Sequence, residues 1–436
     1  MLLEFKTKDY KSFAEEMCFS MIPAPKQKGL DYSILMSKVG NRTYKGLSSA
    51  VIYGPNASGK TNVIGAMDTF KEIILRGNIR NTAPTSLDYA ASSLELIPNC
   101  NGEGQPTEFS IRFINNGLLI EYDLVIDLGT FMDKNYERKI LLEKLLVNEK
   151  QVFLRRDGLD IDLPSTIKGY INQSIKRKTP KMQELASDSL VDTELFLTNG
   201  FKSIYAQRLV TEIMDWFSNK FIVIYRSDDM RVVRKVADPK ANTVYVERTL
   251  TDAAKTFGIT ANALGYKSGN EKEGEDVVLY SIFKDKLLPA EIFESYGTIR
   301  FINEFPLVIY VLINGGTLVM DEFDASIHPM ALMDIINIFH NDEINKNNAQ
   351  LIFNTHNPIF LDSSLLRRDE IKFVERNEIS GNSEHYALSD FKTADGVRKG
   401  EDYMSNYFVS RYGAIKDIDF SPVLESILVG NGGDDE

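Results

Sequence analysis

Gly54-Pro55-Asn56-Ala57-Ser58-Gly59-Lys60-Thr61, followed by Asn62, is the stretch on which the reading of this chain turns. It fits the pattern in which glycine-rich backbone N–H groups cradle nucleotide phosphates, a lysine reaches the β- and γ-phosphates and a hydroxyl holds Mg²⁺. Upstream, Leu47 to Tyr53 is a short, largely apolar strand pattern. Downstream, Val63, Ile64, Met67, Phe70, Ile73 and Ile74 recur at helical spacing. Strand, loop and helix in that order aim a helix N-terminus, with its unsatisfied donors, at an anion. The bland alternative is an ordinary strand-turn-helix, and these flanks disfavour it.

With 436 residues the chain has room for two or three domain-sized units and a sizeable core. Cys18 and Cys100 have no paired spacing, so neither a disulfide framework nor a zinc module is expected. A formal net charge of −12 argues against indiscriminate coating of nucleic acid. We read no cationic start followed by an apolar stretch and no apolar run long enough for a bilayer. The expectation is a cytoplasmic protein that does not span a membrane.

Along the chain, Leu2 to Phe5 and Phe13 to Met21 read as strands around a turn at Asp9 to Ser12, and Lys26 to Lys45 as loop. Gly77 to Glu108 is rich in loop-forming residues. Phe109 to Phe113 and Leu118 to Ile126 flank an Asn-Gly turn, and Ile140 to Val147 pairs with Val152 to Leu154 as a second hairpin. From Thr166 to Leu288 the pattern turns helical, with Ile204, Leu209, Val210, Ile213, Met214 and Phe217 on one stripe. Basic residues cluster at Lys176 to Lys181 and at Arg231, Arg234 and Lys235. Ser295-Tyr296-Gly297-Thr298 opens an apolar helix interrupted by Pro306 and stopped at Asn314-Gly315-Gly316. Thr317 to Met320 is a buried-strand pattern ending in Asp321-Glu322. A helix over Pro329 to His340 follows, then a strand from Gln350 to Phe353 ending at Asn354-Thr355-His356. Ile371 to Val374 reads as sheet edge. Alternating strands and helices imply a mainly parallel sheet, whose ligands gather at the carboxyl ends of its strands.

Two acids delivered by an apolar strand suit hydrolysis of a Mg²⁺-nucleotide. Asp321, with Thr61, is assigned to the metal; Glu322 is assigned to polarising the attacking water. His356, at the next strand end, is placed to sense the γ-phosphate. His328, His340 and His356 lack the spacing of a metal cluster.

Together these residues resemble an ATPase with an ABC-type head, of the branch shared by SMC and overcoming-lysogenization-defect proteins. Gly54 to Thr61 matches Walker A, Ser295 to Thr298 the signature, Asp321-Glu322 Walker B with its catalytic glutamate, Phe323-Asp324-Ala325-Ser326 the D-loop and His356 the switch histidine. The strings Gly-Pro-Asn-Ala-Ser-Gly-Lys-Thr-Asn, Asp-Glu-Phe-Asp-Ala-Ser-Ile-His-Pro, Asn-Thr-His-Asn-Pro and Arg411-Tyr412-Gly413-Ala414-Ile415 are similar to the compact bacterial AAA family of the AAA15 group. The signature departs from the transporter form Leu-Ser-Gly-Gly-Gln, and for the Q-loop only Gln105, a loop residue, offers itself.

The resemblance implies an α/β P-loop NTPase of ABC-ATPase type, with a mixed sheet, an N-terminal antiparallel β-subdomain and an inserted helical lobe. Residues 1–160 would form the first half of the head, 161–290 the helical lobe and 291–436 the second half. It implies ATP and Mg²⁺ as cofactors, with Gly54, Pro55, Asn56, Ala57, Ser58, Gly59, Lys60, Thr61, Asn62, Ser295, Gly297 and Asp324 binding nucleotide. Ser295 and Gly297 would act in trans, in an ATP-sandwiched homodimer or larger homo-oligomer.

Related ATPases serve anti-phage systems such as PARIS and Septu beside a separately encoded effector. The expected function is therefore an ATP-driven switch controlling such an effector, a nuclease being the first candidate. The residues after His356 do not resemble a Toprim nuclease domain. One rival is a DNA-repair or recombination ATPase that clamps DNA through the basic clusters. A second is an ATP-dependent scaffold without turnover, against which the Asp321-Glu322 pair argues. A GTPase would need an Asn-Lys-x-Asp string, and Asn345-Lys346-Asn347-Asn348 is the nearest.

Overall fold

The computed structural model describes residues 1–436 except 26, 28, 81–93, 103, 132, 134–135, 173–179, 226–243, 247, 258–262, 268–277, 285, 326, 393–399, 417 and 431–436. Its central sheet has six strands: β1 (Ser49–Tyr53), β2 (Phe221–Ile224), β3 (Thr317–Met320), β4 (Gln350–Asn354), β5 (Ile371–Arg376) and β6 (Ser383–Ala387). Their spatial order is β2-β3-β4-β1-β5-β6. All neighbours are parallel except β5 and β6. The P-loop strand β1 and the acid-bearing strand β3 therefore flank β4, and all three end on one side of the sheet.

Both faces of this sheet are covered, so its strands read as continuous apolar runs. Ala50, Ile52, Val319, Ile352 and Val374 point into one core, and Val51, Tyr53, Leu318, Met320, Leu351, Phe353 and Phe373 into the other. The first core is filled by α1 (Lys60–Arg76). The helical stripe read from the sequence, Val63, Ile64, Met67, Phe70, Ile73 and Ile74, is fully buried there. Phe70 stacks on Phe109 of a seven-stranded antiparallel sheet that forms the next layer. The second core is filled by α2 (Tyr296–Asn314) and α3 (Pro329–His340) through residues such as Phe301, Val308, Val311, Leu332, Ile336 and Phe339.

Helix α2 is long and apolar enough, by length and composition, to cross a membrane. It carries a buried Arg300–Glu304 ion pair and packs into the core, which marks it as a core helix. It also continues through Pro306, whose missing N–H removes one i−4 bond.

Both expected hairpins are present, Thr107–Asn115 with Leu118–Asp127 and Lys139–Val147 with Lys150–Arg155. Asn116 and Gly117 take positive φ (47° and 76°), as a two-residue hairpin turn demands. The buried Gln350 amide joins the layers. Its Oε1 accepts from Leu2 N and Thr317 Oγ1, and its Nε2 donates to the carbonyls of Leu2 and Leu47.

Three expectations need correction. Lys26 to Lys45 is not all loop, because Ile34–Val39 and Arg42–Leu47 form a hairpin turning at Gly40 (φ 57°). The helical pattern expected over 161–290 is interrupted after Lys220 by strands, with Arg248–Phe257 the one further helix of more than four residues among the described residues. Phe221–Ile224 is a strand of the central sheet, and Val244–Val246, Ala263–Lys267, Val278–Phe283 and Lys286–Pro289 form a four-stranded antiparallel sheet. A four-residue apolar run such as Phe221 to Ile224 cannot be told from a helical fragment by periodicity. Ile371 to Val374, read as an edge, lies inside the sheet between β1 and β6. Residues 176–179, Arg231, Arg234 and Lys235 of the basic clusters lie outside the described residues.

Candidate functional site

The loop 54–59 leaves β1 and enters α1 with Lys60 as the first helical residue, so the donors of the first turn open onto the loop. Two of its glycines are required. A Cβ on Gly54 (φ 156°) would lie 2.2 Å from the Val374 carbonyl oxygen. One on Gly59 (φ 110°) would lie 2.6 Å from Ser383 Oγ and 2.8 Å from Ser12 Oγ. Those two serines brace the loop: Ser383 Oγ donates to the Ser58 carbonyl, and Asn62 Nδ2 donates to Ser12 Oγ (2.5 and 2.8 Å). Ser58 Oγ is buried without a hydrogen-bond partner among the described residues. An orphaned hydroxyl inside a glycine-permitted cradle suits an anionic oxygen.

Lys60 Nζ donates to the carbonyls of Gly54 and Pro55 (2.7 and 2.9 Å). Burial lowers its pKa to about 8, while Asp321, Glu322 and Asp324 pull it back up. Thr61 Oγ1 donates to Asp321 Oδ1 at 3.2 Å. Asp321 is 5% exposed and Glu322 exposed, so one carboxylate is held in the protein and the next faces water. Asn354, at the end of β4, binds both: its Nδ2 donates to Asp321 Oδ1, and its Oδ1 accepts from Glu322 N. Glu322 takes φ 51°, a left-handed conformation that costs a side-chain-bearing residue energy and needs such support. Thr355 Oγ1 donates to Asp324 Oδ2 at 2.6 Å. His356 is exposed, and its pKa is lowered by desolvation and then by the Lys60 ammonium.

The expected P-loop, Walker B, D-loop and switch residues thus converge at the carboxyl ends of β1, β3 and β4; Ser326 lies outside the described residues. Ser295 is different. It is exposed and N-caps α2, its Oγ accepting from Thr298 N (3.2 Å) and lying 2.9 Å from Thr298 Oγ1. Among the described residues its hydrogen bonds stay within that first turn, beside buried Gly297. Gln105 is an exposed loop residue.

The sequence reading missed Asn354, Ser12, Ser383 and Arg300, whose Nη2 donates to the Glu322 carbonyl at 2.6 Å. An amide ending a buried strand just before His356 was a usable signal for Asn354. The other three act across the fold and carry no local signal. Among the described residues no three His, Cys, Asp or Glu side chains gather as metal ligands. Hard oxygens from Thr61 and Asp321 alone fit Mg²⁺, which keeps waters and takes substrate phosphates.

A model of the AAA_21 family, described as "AAA domain, putative AbiEii toxin, Type IV TA system", matches residues 49–190 and 210–362. No curated protein matches the chain. Among solved structures, the chain is similar to "Crystal structure of the SmcHead bound to the C-winged helix domain of ScpA" at 14% identity and a TM-score of 0.37, over 91% of this chain and 99% of that one. "SMC head domain from Thermotoga maritima" gives 13% and 0.34, over 88% and 98%. The Smc head domain with an extended coiled coil, bound to the C-terminal domain of ScpA derived from Pyrococcus furiosus, gives 13% and 0.35, over 88% and 96%. The fold is an α/β P-loop NTPase fold, with a mixed sheet and an antiparallel β-subdomain.

Proposed function

The chain belongs to the AAA_21 family, and on that premise we propose that it is an ATP-hydrolysing switch whose two nucleotide sites are each completed by the signature turn of a second copy. The observation that carries this reading is the pairing of buried Asp321, bonded by Thr61, with exposed Glu322 on the next residue. The loop N–H groups and Lys60 would bind and orient the triphosphate. Glu322 would accept a proton from the attacking water, and His356 would hydrogen-bond the γ-phosphate end. Thr61 and Asp321 would hold Mg²⁺, which when bound neutralises charge on the β- and γ-phosphates.

Ser295 and the α2 N-terminus would receive the γ-phosphate of the neighbouring copy. Support for the trans arrangement is that Ser295 is exposed and, among the described residues, bonded only within its own turn, whereas Thr61, Asp321 and Asn354 bond one another. We further read the switch as cytoplasmic and as controlling a separately encoded effector, a nuclease being the first candidate, in bacterial anti-phage defence. That step rests on the resemblance of the motifs. The DNA-clamp reading gains no observation here, since most of its basic residues lie outside the described ones. Phosphate release by the purified protein, with and without its operon partners, tests the reading. Turnover abolished in Glu322→Gln supports it, and no turnover in any preparation overturns it.

A further inference from the structure

Glu322 sits in a left-handed backbone conformation, φ 51°, that persists only where its surroundings hold it. Two elements do so. From β4, Asn354 Oδ1 accepts from the Glu322 N–H. From α2, Arg300 Nη2 donates to the Glu322 carbonyl at 2.6 Å, an oxygen that also accepts from Ala325 N at 3.0 Å. The Arg300 guanidinium is itself fixed. It is 6% exposed, and its Nε donates to Glu304 Oε1 at 2.8 Å, one turn along the same helix. A planar fork held by one edge and donating from another transmits displacement instead of absorbing it. Arg300 lies five residues after Ser295, about 8 Å along a rigid helix from the exposed cap.

We propose that Arg300 is a positioning residue through which the state of the Ser295 turn sets the backbone of Glu322 in the same chain. Resting on the trans reading above, this gives the pair a specific consequence. The nucleotide touched by Ser295 belongs to the neighbour's P-loop, while Glu322 serves the chain's own nucleotide. One buried guanidinium thus links the two sites of a dimer, and filling one site seats the catalytic glutamate of the other.

The test uses the full chain with the double substitution Arg300→Met, Glu304→Leu, which removes both charges of the buried ion pair together. A second variant, Arg300→Lys, keeps a cation beside Glu304 but cannot span both partners, so it gives the same readout if the first does not fold. The expected result is kcat lower by about 10- to 100-fold, with the affinity for a non-hydrolysable ATP analogue within about twofold of the parent. The ATP dependence of turnover, cooperative in the parent, falls to a Hill coefficient of about 1. The proposal is overturned by a folded variant with unchanged kcat and cooperativity, by a parent without cooperativity, or by kcat and ATP affinity falling in parallel. Glu322→Gln and Ser295→Ala serve as references. If both turn over normally the underlying site reading fails; if both are dead while the Arg300 variants are normal, only the linkage fails.

Discussion

The strand-end pocket and the signature turn are built in opposite ways. In the pocket, Lys60 is tied to the loop carbonyls, Thr61, Asp321 and Asn354 are interlocked, and Ser12 and Ser383 reach in from distant parts of the chain. At the turn, Ser295 is exposed and, among the described residues, bonded only to its own helix, with Tyr296 58% exposed beside it. Buried polar groups must be satisfied where they stand, whereas an exposed helix N-terminus can wait for a ligand in water. One region is braced within the chain around its Ser58 hydroxyl, and the other is displayed outward.

Four experiments break or sharpen that contrast, the largest effect first. Glu322→Gln is expected to lower kcat at least about 100-fold while retaining ATP affinity and accumulating an ATP-bound dimer in size-exclusion chromatography. Next, Asn354→Ala removes the amide that holds Asp321 and Glu322. A stability loss of about 1–3 kcal/mol in denaturant unfolding, together with a kcat lower by about tenfold or more, is the expected pair of results. Ser295→Ala removes only a helix cap from the chain itself, so about 1 kcal/mol or less should go in unfolding while ATP-driven dimerisation and turnover are lost. A stability loss as large as that of Asn354→Ala would show the turn to be structural.

The smallest effect is a proton. Lys60 is held at about 8, below its ordinary 10.5, by burial. The charged form is thus disfavoured in the free protein, and a bound polyanion restores it. ATP binding near pH 8 should then take up about half a proton, with uptake fading well below that pH because the lysine is already charged. Calorimetry in buffers of different ionisation enthalpy measures it, and Lys60→Met should abolish it.

Local pattern made much of this legible. The stripe from Val63 to Ile74 and the runs at Leu47 to Tyr53 and Thr317 to Met320 lie on elements with one dominant environment, so period and apolarity report them directly. The strand Ile34–Val39 was hidden because it is half exposed, with Met36 at 58%, and its alternation is interrupted by Ser37 and Lys38. Phe221 to Ile224 was hidden by its shortness. In the site, Thr61, Asp321 and Glu322 could be read because the chemistry needs them at fixed offsets from a strand or loop. Asn354 and Arg300 act on Glu322 only because β4 lies between β1 and β3 and α2 packs against that sheet, and no spacing encodes strand order.

The central claim is that each nucleotide site is shared between two copies, and complementation tests it most directly. Lys60→Ala and Ser295→Arg are each purified and shown to be inactive alone, then mixed with ATP and Mg²⁺ and assayed for phosphate release. A mixed dimer has one site with both defects and one with neither, so random pairing restores at most about a quarter of the parent activity, and less to the extent that the defective site leaves the other's Glu322 unseated. A mixture as inactive as its two components would contradict the account.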